Sequence, residues 1–326
     1  MKALLCHAFG PISGLRLDDA ADPLPGPGQV VVAVRACSLN FPDALIVQGL
    51  YQVKPQFPFS PGAEFAGVVE GVGAGVEHLR PGDAVVAFAG HGGLAERCVV
   101  DAQRLMPLPR GMDFAQGAAF LLTFGTALHA LRSVAGLEAG QQVLVLGAAG
   151  GVGLAAVQVA KAMGARVIAG ASSAARLRLA AEHGADCGID YSTEDLRRRV
   201  LDLTGGRGVD LVLDPVGGSL SESALRATAW RGALLVVGFA AGDIPRLPLN
   251  LLLLNERRAL GVYWGEAIRR DPEQHAGNLR QLLQWFDQGR LRPVITERIG
   301  LEQARDALER MAARAVTGKV VVDIGG

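Results

Sequence analysis

The chain has 326 residues, half of them hydrophobic, with 43 glycines and a formal net charge of zero. Balanced charge and the lack of a basic run exclude nucleic acid as a main partner, and the length implies two domains rather than one core. The four cysteines (Cys6, Cys37, Cys98, Cys187) are scattered without a Cys-x-x-Cys pair, which reads as small buried hydrophobes in a reducing compartment.

The first residues, Met1 to His7, are too short and too soon polar for a secretory signal. The first hundred residues then read as β-rich. Valine alternates with other residues over Gln29–Ala36, and Phe65–Val72 and Ala84–Phe88 are short apolar runs. Proline and glycine pairs such as Pro25-Gly26, Pro61-Gly62 and Pro81-Gly82 punctuate them. From about Asp113 the pattern turns helical. The most apolar run, Gly117–Ala130, carries Thr123, Thr126 and His129 and is too short to span a bilayer, so a buried helix is expected. A soluble, cytoplasmic protein without a membrane partner follows.

Strands and helices alternate after Gly140. Val143–Leu146 reads as a strand, Gly147-Ala148-Ala149-Gly150-Gly151-Val152-Gly153 as a tight turn, and Leu154–Ala160 as a helix. Backbone N–H groups and the positive end of a helix dipole then face open space, where a pyrophosphate fits. The small Ala149 and the glycines at 147, 150, 151 and 153 let the chain approach the phosphates and the helix approach the strand. Further strands are expected at Arg166–Ala169, Asp186–Ile189, Val209–Leu213, Leu234–Val237 and Leu260–Tyr263, with helices at Ala174–His183, Thr193–Leu203 and Leu220–Ala229. Repeated βα units mean a parallel sheet covered by helices. Asp271–Asp287 reads as a helix with Leu279, Leu282, Leu283 and Phe286 on one face, and Val320–Ile324 as a closing strand.

The second strand of this unit ends at Gly170-Ala171-Ser172-Ser173-Ala174-Ala175-Arg176, with no acidic residue before Glu182. A carboxylate there would accept the ribose 2′-hydroxyl of NAD, whereas serines and an arginine suit the 2′-phosphate of NADP. Ser172 or Ser173 could equally cap the next helix. The missing carboxylate favours NADPH.

Several segments occur together in order: Ala36-Cys37-Ser38-Leu39-Asn40-Phe41-Pro42-Asp43, Gly49-Leu50-Tyr51, Phe59-Ser60-Pro61-Gly62-Ala63-Glu64, the Gly147–Gly153 turn, Asp214-Pro215-Val216-Gly217-Gly218 and Gly318-Lys319-Val320. The whole chain thereby resembles the zinc-independent quinone oxidoreductase branch of the medium-chain dehydrogenase/reductases, the zeta-crystallin-like group. The resemblance implies a GroES-like β-rich catalytic domain, a Rossmann doubly wound parallel sheet, and a cleft between them. The expected boundaries are residues 1–122 for the first part of the catalytic domain, 123–264 for the NADPH-binding domain and 265–326 for the returning part.

By the same resemblance, zinc-dependent relatives carry a cysteine where this chain has Asn40 and a histidine where it has Ala63. Only Cys98 falls in Val85–Asp101, and His78, His91 and His129 stand alone, so no zinc set can be assembled and no metal is expected. Acceptors that delocalise their own charge are then favoured: a quinone, with enoyl-CoA or acryloyl-CoA and 2-alkenals as the alternative. A basic CoA-binding patch would have to come from Arg257, Arg258, Arg269 and Arg270. A non-catalytic, NADPH-binding structural or RNA-binding role is the remaining class.

The resemblance also assigns residues. Asn40 meets an acceptor oxygen or the nicotinamide ribose, and Tyr51 bonds or protonates the reduced acceptor. Asp43 is either a catalytic-motif residue or a helix cap. Thr126 contacts the carboxamide or is a buried helical threonine. Tyr191 lies beside the 2′-phosphate, and Gly238 and Phe239 pass the nicotinamide. Lys319 reaches the cofactor or is a plain strand-edge lysine. Leu45 stands where some relatives have a second pocket tyrosine. Leu260–Trp264 is expected to pair with its counterpart in a homodimer.

Overall fold

The computed structural model describes residues 1–325. The strands, in chain order, are β1 (Lys2–Leu5), β2 (Arg16–Asp19), β3 (Gln29–Ser38), β4 (Glu64–Val72), β5 (Ala84–Phe88), β6 (Arg97–Asp101), β7 (Leu105–Pro107), β8 (Gln142–Leu146), β9 (Arg166–Ala171), β10 (Cys187–Asp190), β11 (Val209–Asp214), β12 (Thr228–Val236), β13 (Arg258–Gly261), β14 (Ile295–Gly300) and β15 (Lys319–Asp323). The chain divides into two compact units, Met1–Leu122 with Pro293 onward, and Thr123–Arg292.

The first unit is built on a seven-stranded sheet in the order β14-β15-β3-β4-β5-β7, with β6 also paired to β3. The valine alternation of β3 sends Val30, Val32 and Val34 into the unit's core cluster, where they join Val69, Val85 and Phe65. Pairing is antiparallel except between β14 and β15, which run parallel. The helix Phe41–Val47 follows β3 directly, started by Pro42 and by Asp43 in its first turn. β15 therefore lies between two neighbours and is no edge strand, which corrects the plain strand-edge reading of Lys319.

The second unit is a six-stranded, wholly parallel sheet in the order β10-β9-β8-β11-β12-β13. Numbered within the unit this is 3-2-1-4-5-6, the Rossmann order, in which the direction of winding reverses between β8 and β11. Val143–Leu146 and Val167–Ala169 are buried throughout, as strands covered on both faces must be.

Two expectations shift. The last strand of this sheet is Arg258–Gly261, two residues earlier than the apolar pattern predicts, because an edge strand keeps exposed residues such as Arg258 and Ala259. The segment 265–292 packs in the second unit, and the return to the first begins only at Pro293. Its helix Pro272–Asp287 is held by Asn278 Nδ2 donating to Ser133 Oγ at 3.0 Å. Buried Gln158, on the helix Gly151–Ala162, donates to Arg292 O at 3.0 Å and accepts from Arg292 N at 2.8 Å. A leucine at 158 would fill the volume and orphan both backbone groups. Gln158→Leu should lower unfolding free energy by about 1–3 kcal/mol in urea titration; an unchanged midpoint would show that this amide does not tie 265–292 to the sheet.

Candidate functional site

In the second unit, the turn after β8 forms as its glycines predict. Gly147 takes φ +58° and its carbonyl accepts from Gly150 N at 2.9 Å. Gly150 is the extended N-cap residue of the helix Gly151–Ala162, and Leu154 N makes the first bond back to Gly150 O at 2.8 Å. The N–H groups of Gly151, Val152 and Gly153 therefore have no acceptor inside the helix. A side chain at Gly153 would meet Gly147 O at 2.2 Å, so only glycine permits this approach of helix to strand. Ala148 and Ala149 are buried beneath the turn.

The end of β9 gathers the residues read from sequence as phosphate ligands. Arg176 Nη1 donates to Ser172 Oγ at 3.1 Å, and Ser173 Oγ accepts from Arg176 N at 3.4 Å as cap of the helix Ala174–Glu182. Ser173 is thus a cap as well as a polar group facing the same end. The main chain of Tyr191 is bonded to Ala171 O at 3.0 Å, which sets it beside Ser172.

On the other side of the turn, buried Asp214 closes β11. Its carboxylate accepts from Val216 N and Gly217 N, both at 2.9 Å, and from Ser221 Oγ at 2.5 Å. The pinned loop places Val216 against Gly147, and Phe239 beside Gly217. Ala240 N and Ala241 N bond back to Pro215 O and Val216 O. Gly238 and Phe239 thereby pack on the 215–217 loop, whose Val216 faces the glycine turn. Thr126 lies on the helix Leu121–Leu128, is almost fully buried, and follows Gly125, whose open side is filled by the Trp264 indole.

The first unit holds a buried polar network. Asp43 accepts from Asn40 N at 2.7 Å, Ala63 N at 2.8 Å and Gly62 N at 3.2 Å. It caps its own helix and pins the turn before β4; at 1% exposure its geometry is that of the helix cap, one of its two readings from sequence. Glu64 accepts from Leu122 N at 2.9 Å, Ser38 Oγ at 3.0 Å and Asn40 Nδ2 at 3.4 Å. Lys319 Nζ donates to Asn40 Oδ1 at 2.6 Å and Leu39 O at 3.1 Å, 3.7 Å from Glu64. Its ammonium is turned into its own unit, among Leu39, Asn40 and Glu64.

Burial dominates the electrostatics. It raises Glu64 and lowers Lys319, each held back by the other's charge, and it pushes Asp43 up to about 6 against three backbone donors. Tyr51 is half-buried and packs on the first unit's core cluster. Among the described residues no group of three or more His, Cys, Asp or Glu is gathered to hold a metal ion. Glu64 was quoted within its motif but not read as a site residue; a lone acid opening an apolar strand was the available signal.

The Asp43 carboxyl titrates higher in the folded protein than in the unfolded chain, where it stands near 3.8. Between those values the folded state holds a proton the unfolded chain has released, so this group's contribution to stability falls as pH rises from about 4 to about 6. Asp43→Asn removes that slope while adding a constant cost from an amide N–H facing Asn40 N. The stability of wild type relative to the variant should fall by on the order of 2–3 kcal/mol from pH 4 to pH 7 in urea unfolding. A pH-independent difference would rule out burial as the main influence.

Comparison with known proteins covers both units. A profile described as an alcohol dehydrogenase GroES-like domain matches residues 26–110, and one described as a zinc-binding dehydrogenase matches residues 151–286. A quinone oxidoreductase-like protein 2 homolog of Nematostella vectensis is 39% identical over 325 residues, 99% of this chain and 88% of that protein. A quinone oxidoreductase of Pseudomonas aeruginosa is 38% identical over 98% of this chain and 99% of its own length. Among solved structures, Escherichia coli quinone oxidoreductase complexed with NADPH matches with a TM-score of 0.91 and 29% identity, over 99% of this chain and 100% of that one. Along nearly its whole length both the sequence and the fold match this set of relatives: the chain belongs to the zinc-independent quinone oxidoreductase branch of the medium-chain dehydrogenase/reductases.

Proposed function

We propose that this oxidoreductase takes its reducing equivalents from NADPH and passes them to a conjugated acceptor, first of all a quinone. The observation that carries the cofactor is the end of β9, where Arg176 is bonded to Ser172 and no acid stands between Gly170 and Ala181. The Gly147–Gly153 turn fits the rest of the dinucleotide, since a side chain at Gly153 would fill the space its backbone needs. The N–H groups of Gly151, Val152 and Gly153 would hold the pyrophosphate, and Ser172, Ser173, Arg176 and Tyr191 the 2′-phosphate. The likeness to the Escherichia coli enzyme complexed with NADPH supports the same choice.

Bound NADPH supplies a hydride. The chain's own task is to orient and to exclude water. Thr126, Gly238 and Phe239 border the nicotinamide in this reading. Tyr51 donates a hydrogen bond to the acceptor oxygen and holds the proton that follows, Asn40 meets the bound ligand, and Asp43 keeps the 62–63 turn in place. A CoA thioester is less favoured: Arg269 and Arg270 both bond Glu266, and Arg257 donates to Thr228 O and Arg226 O, so three of the four arginines that a CoA-phosphate patch would use are already bonded. The protein acts in the cytoplasm in this reading; among the described residues no helix is long and apolar enough to cross a membrane.

Arg176→Ala should raise the Kd for NADPH by about tenfold or more and leave NADH within about twofold. Equal losses for both cofactors would refute the phosphate assignment. NADPH oxidation against quinones, enones and acryloyl-CoA ranks the acceptors; the fastest kcat/KM is expected with a quinone, and turnover of none would favour a non-catalytic role.

A homodimer belongs to the same reading. Among the described residues β13 is paired only with β12, and the neighbouring Leu249, Leu253 and Leu254 are each at least 65% exposed. An unpaired edge beside such leucines suits a second copy of the same edge. Light scattering should give twice the 34.0 kDa chain mass, and a monomer mass would overturn it.

A further inference from the structure

The Asn40 amide has one permitted orientation. Its Oδ1 lies 2.6 Å from the Lys319 ammonium, and its Nδ2 lies 3.2 Å from Ser38 O, 3.3 Å from Ser38 Oγ and 3.4 Å from Glu64 Oε2. A half-turn would set two N–H groups against a cation and an oxygen against a carboxylate. Asparagine offers two donors and two lone pairs. Both donors face acceptors of this unit, and one lone pair is taken by Lys319. The second lone pair of Oδ1 is what remains, and Asn40 is 5% exposed.

Lys319 has three donors. They face Leu39 O, Asn40 Oδ1 and Glu64 Oε2, and the side chain is 4% exposed. An ammonium enclosed in this way acts on a ligand only through its neighbours. We infer that Lys319 is a positioning residue, which with Glu64 locks Asn40 so that it accepts a hydrogen bond from a ligand hydroxyl or N–H and cannot donate one to the oxygen of the acceptor. The inference rests on the proposed reading of Asn40 as a ligand-facing residue. It removes one of that residue's two readings and leaves the acceptor oxygen to Tyr51.

A merely structural ion pair would support the fold without any link to Asn40, and a double-mutant cycle in NADPH affinity separates the two. Lys319→Met alone strands a buried carboxylate and risks unfolding, so it is combined with Glu64→Gln, whose carbonyl oxygen still accepts from Leu122 N while its Nε2 donates to Ser38 Oγ. NADPH is titrated into the free protein by fluorescence, with the thermal midpoint recorded for each variant. Asn40→Ala and the Lys319→Met/Glu64→Gln pair should each weaken NADPH about tenfold, and all three together no further. Multiplying losses, or a Lys319→Met/Glu64→Gln pair that binds as wild type, would overturn the inference. Wild-type affinity in Asn40→Ala would instead sink the reading of Asn40, and the inference with it.

A charge exchange tests the polarity. Asn40→Asp combined with Glu64→Gln keeps an accepting oxygen against Lys319 while the amide moves to position 64. This variant should recover most of the affinity that Asn40→Ala loses. An affinity no better than that of Asn40→Ala would mean that Asn40 serves its ligand as a donor.

Discussion

The first unit depends on one buried cation. Lys319 reaches Asn40 across 279 residues of sequence, and a lysine without solvent is tolerated only with a counter-charge and a full set of acceptors. β3 carries Ser38 and leads into Leu39 and Asn40, β4 begins at Glu64, and β15 delivers the ammonium from the far end of the chain. None of these segments can meet the requirement alone. The C-terminal strand is thus more than a seventh strand of a sheet, because without it Glu64 would be a buried carboxylate with no cation. This is the physical sense in which the unit is discontinuous.

The second unit solves its problem with the opposite material. Its turn forms because side chains are absent: Gly147 supplies a positive φ, Gly153 supplies contact with a carbonyl, and the groups left without a helical acceptor are backbone N–H. Such a site is set by where the helix begins. Long-range ion pairs play no part in it, and among the described residues its one backbone tie outside β8 and its helix is Ala148 N to Gly170 O of β9. The side-chain network of the first unit forms only when three distant segments have met.

That contrast explains what the sequence disclosed. Strand, turn and helix are contiguous in Gln142–Ala162, so local pattern sufficed for the parallel βα units and for the turn, while the Rossmann order was implied only by the resemblance. Ser172, Ser173 and Arg176 fall within five residues and could be read as a group. The inward course of Lys319 could not, because it depends on β15 having a neighbour on each side. Glu64 was hidden for the same reason: its partners come from β3, from β15 and from Leu122. The placement of 265–292 turns on Gln158 and Asn278, whose partners lie 134 and 145 residues away. The edge strand was read two residues late because exposure at an edge weakens the apolar signal that marks a strand.

Both units nevertheless share one device. Asp43 accepts from the consecutive N–H groups of Gly62 and Ala63, and Asp214 from those of Val216 and Gly217. Each carboxylate holds a loop at the end of a strand mainly through backbone dipoles, with the uncharged Ser221 hydroxyl as the one side-chain donor to Asp214. A lysine or arginine in either place would satisfy the same oxygens, but would add a full positive charge beside groups that must discriminate by charge. Backbone donors fix the loops and leave the field to others: Arg176 at the end of β9, and Lys319 locked beneath Asn40. The two loops are thus held without an added cation, while Arg176 is bonded to Ser172 at the end of β9 and Lys319 is shared between Asn40, Leu39 and Glu64.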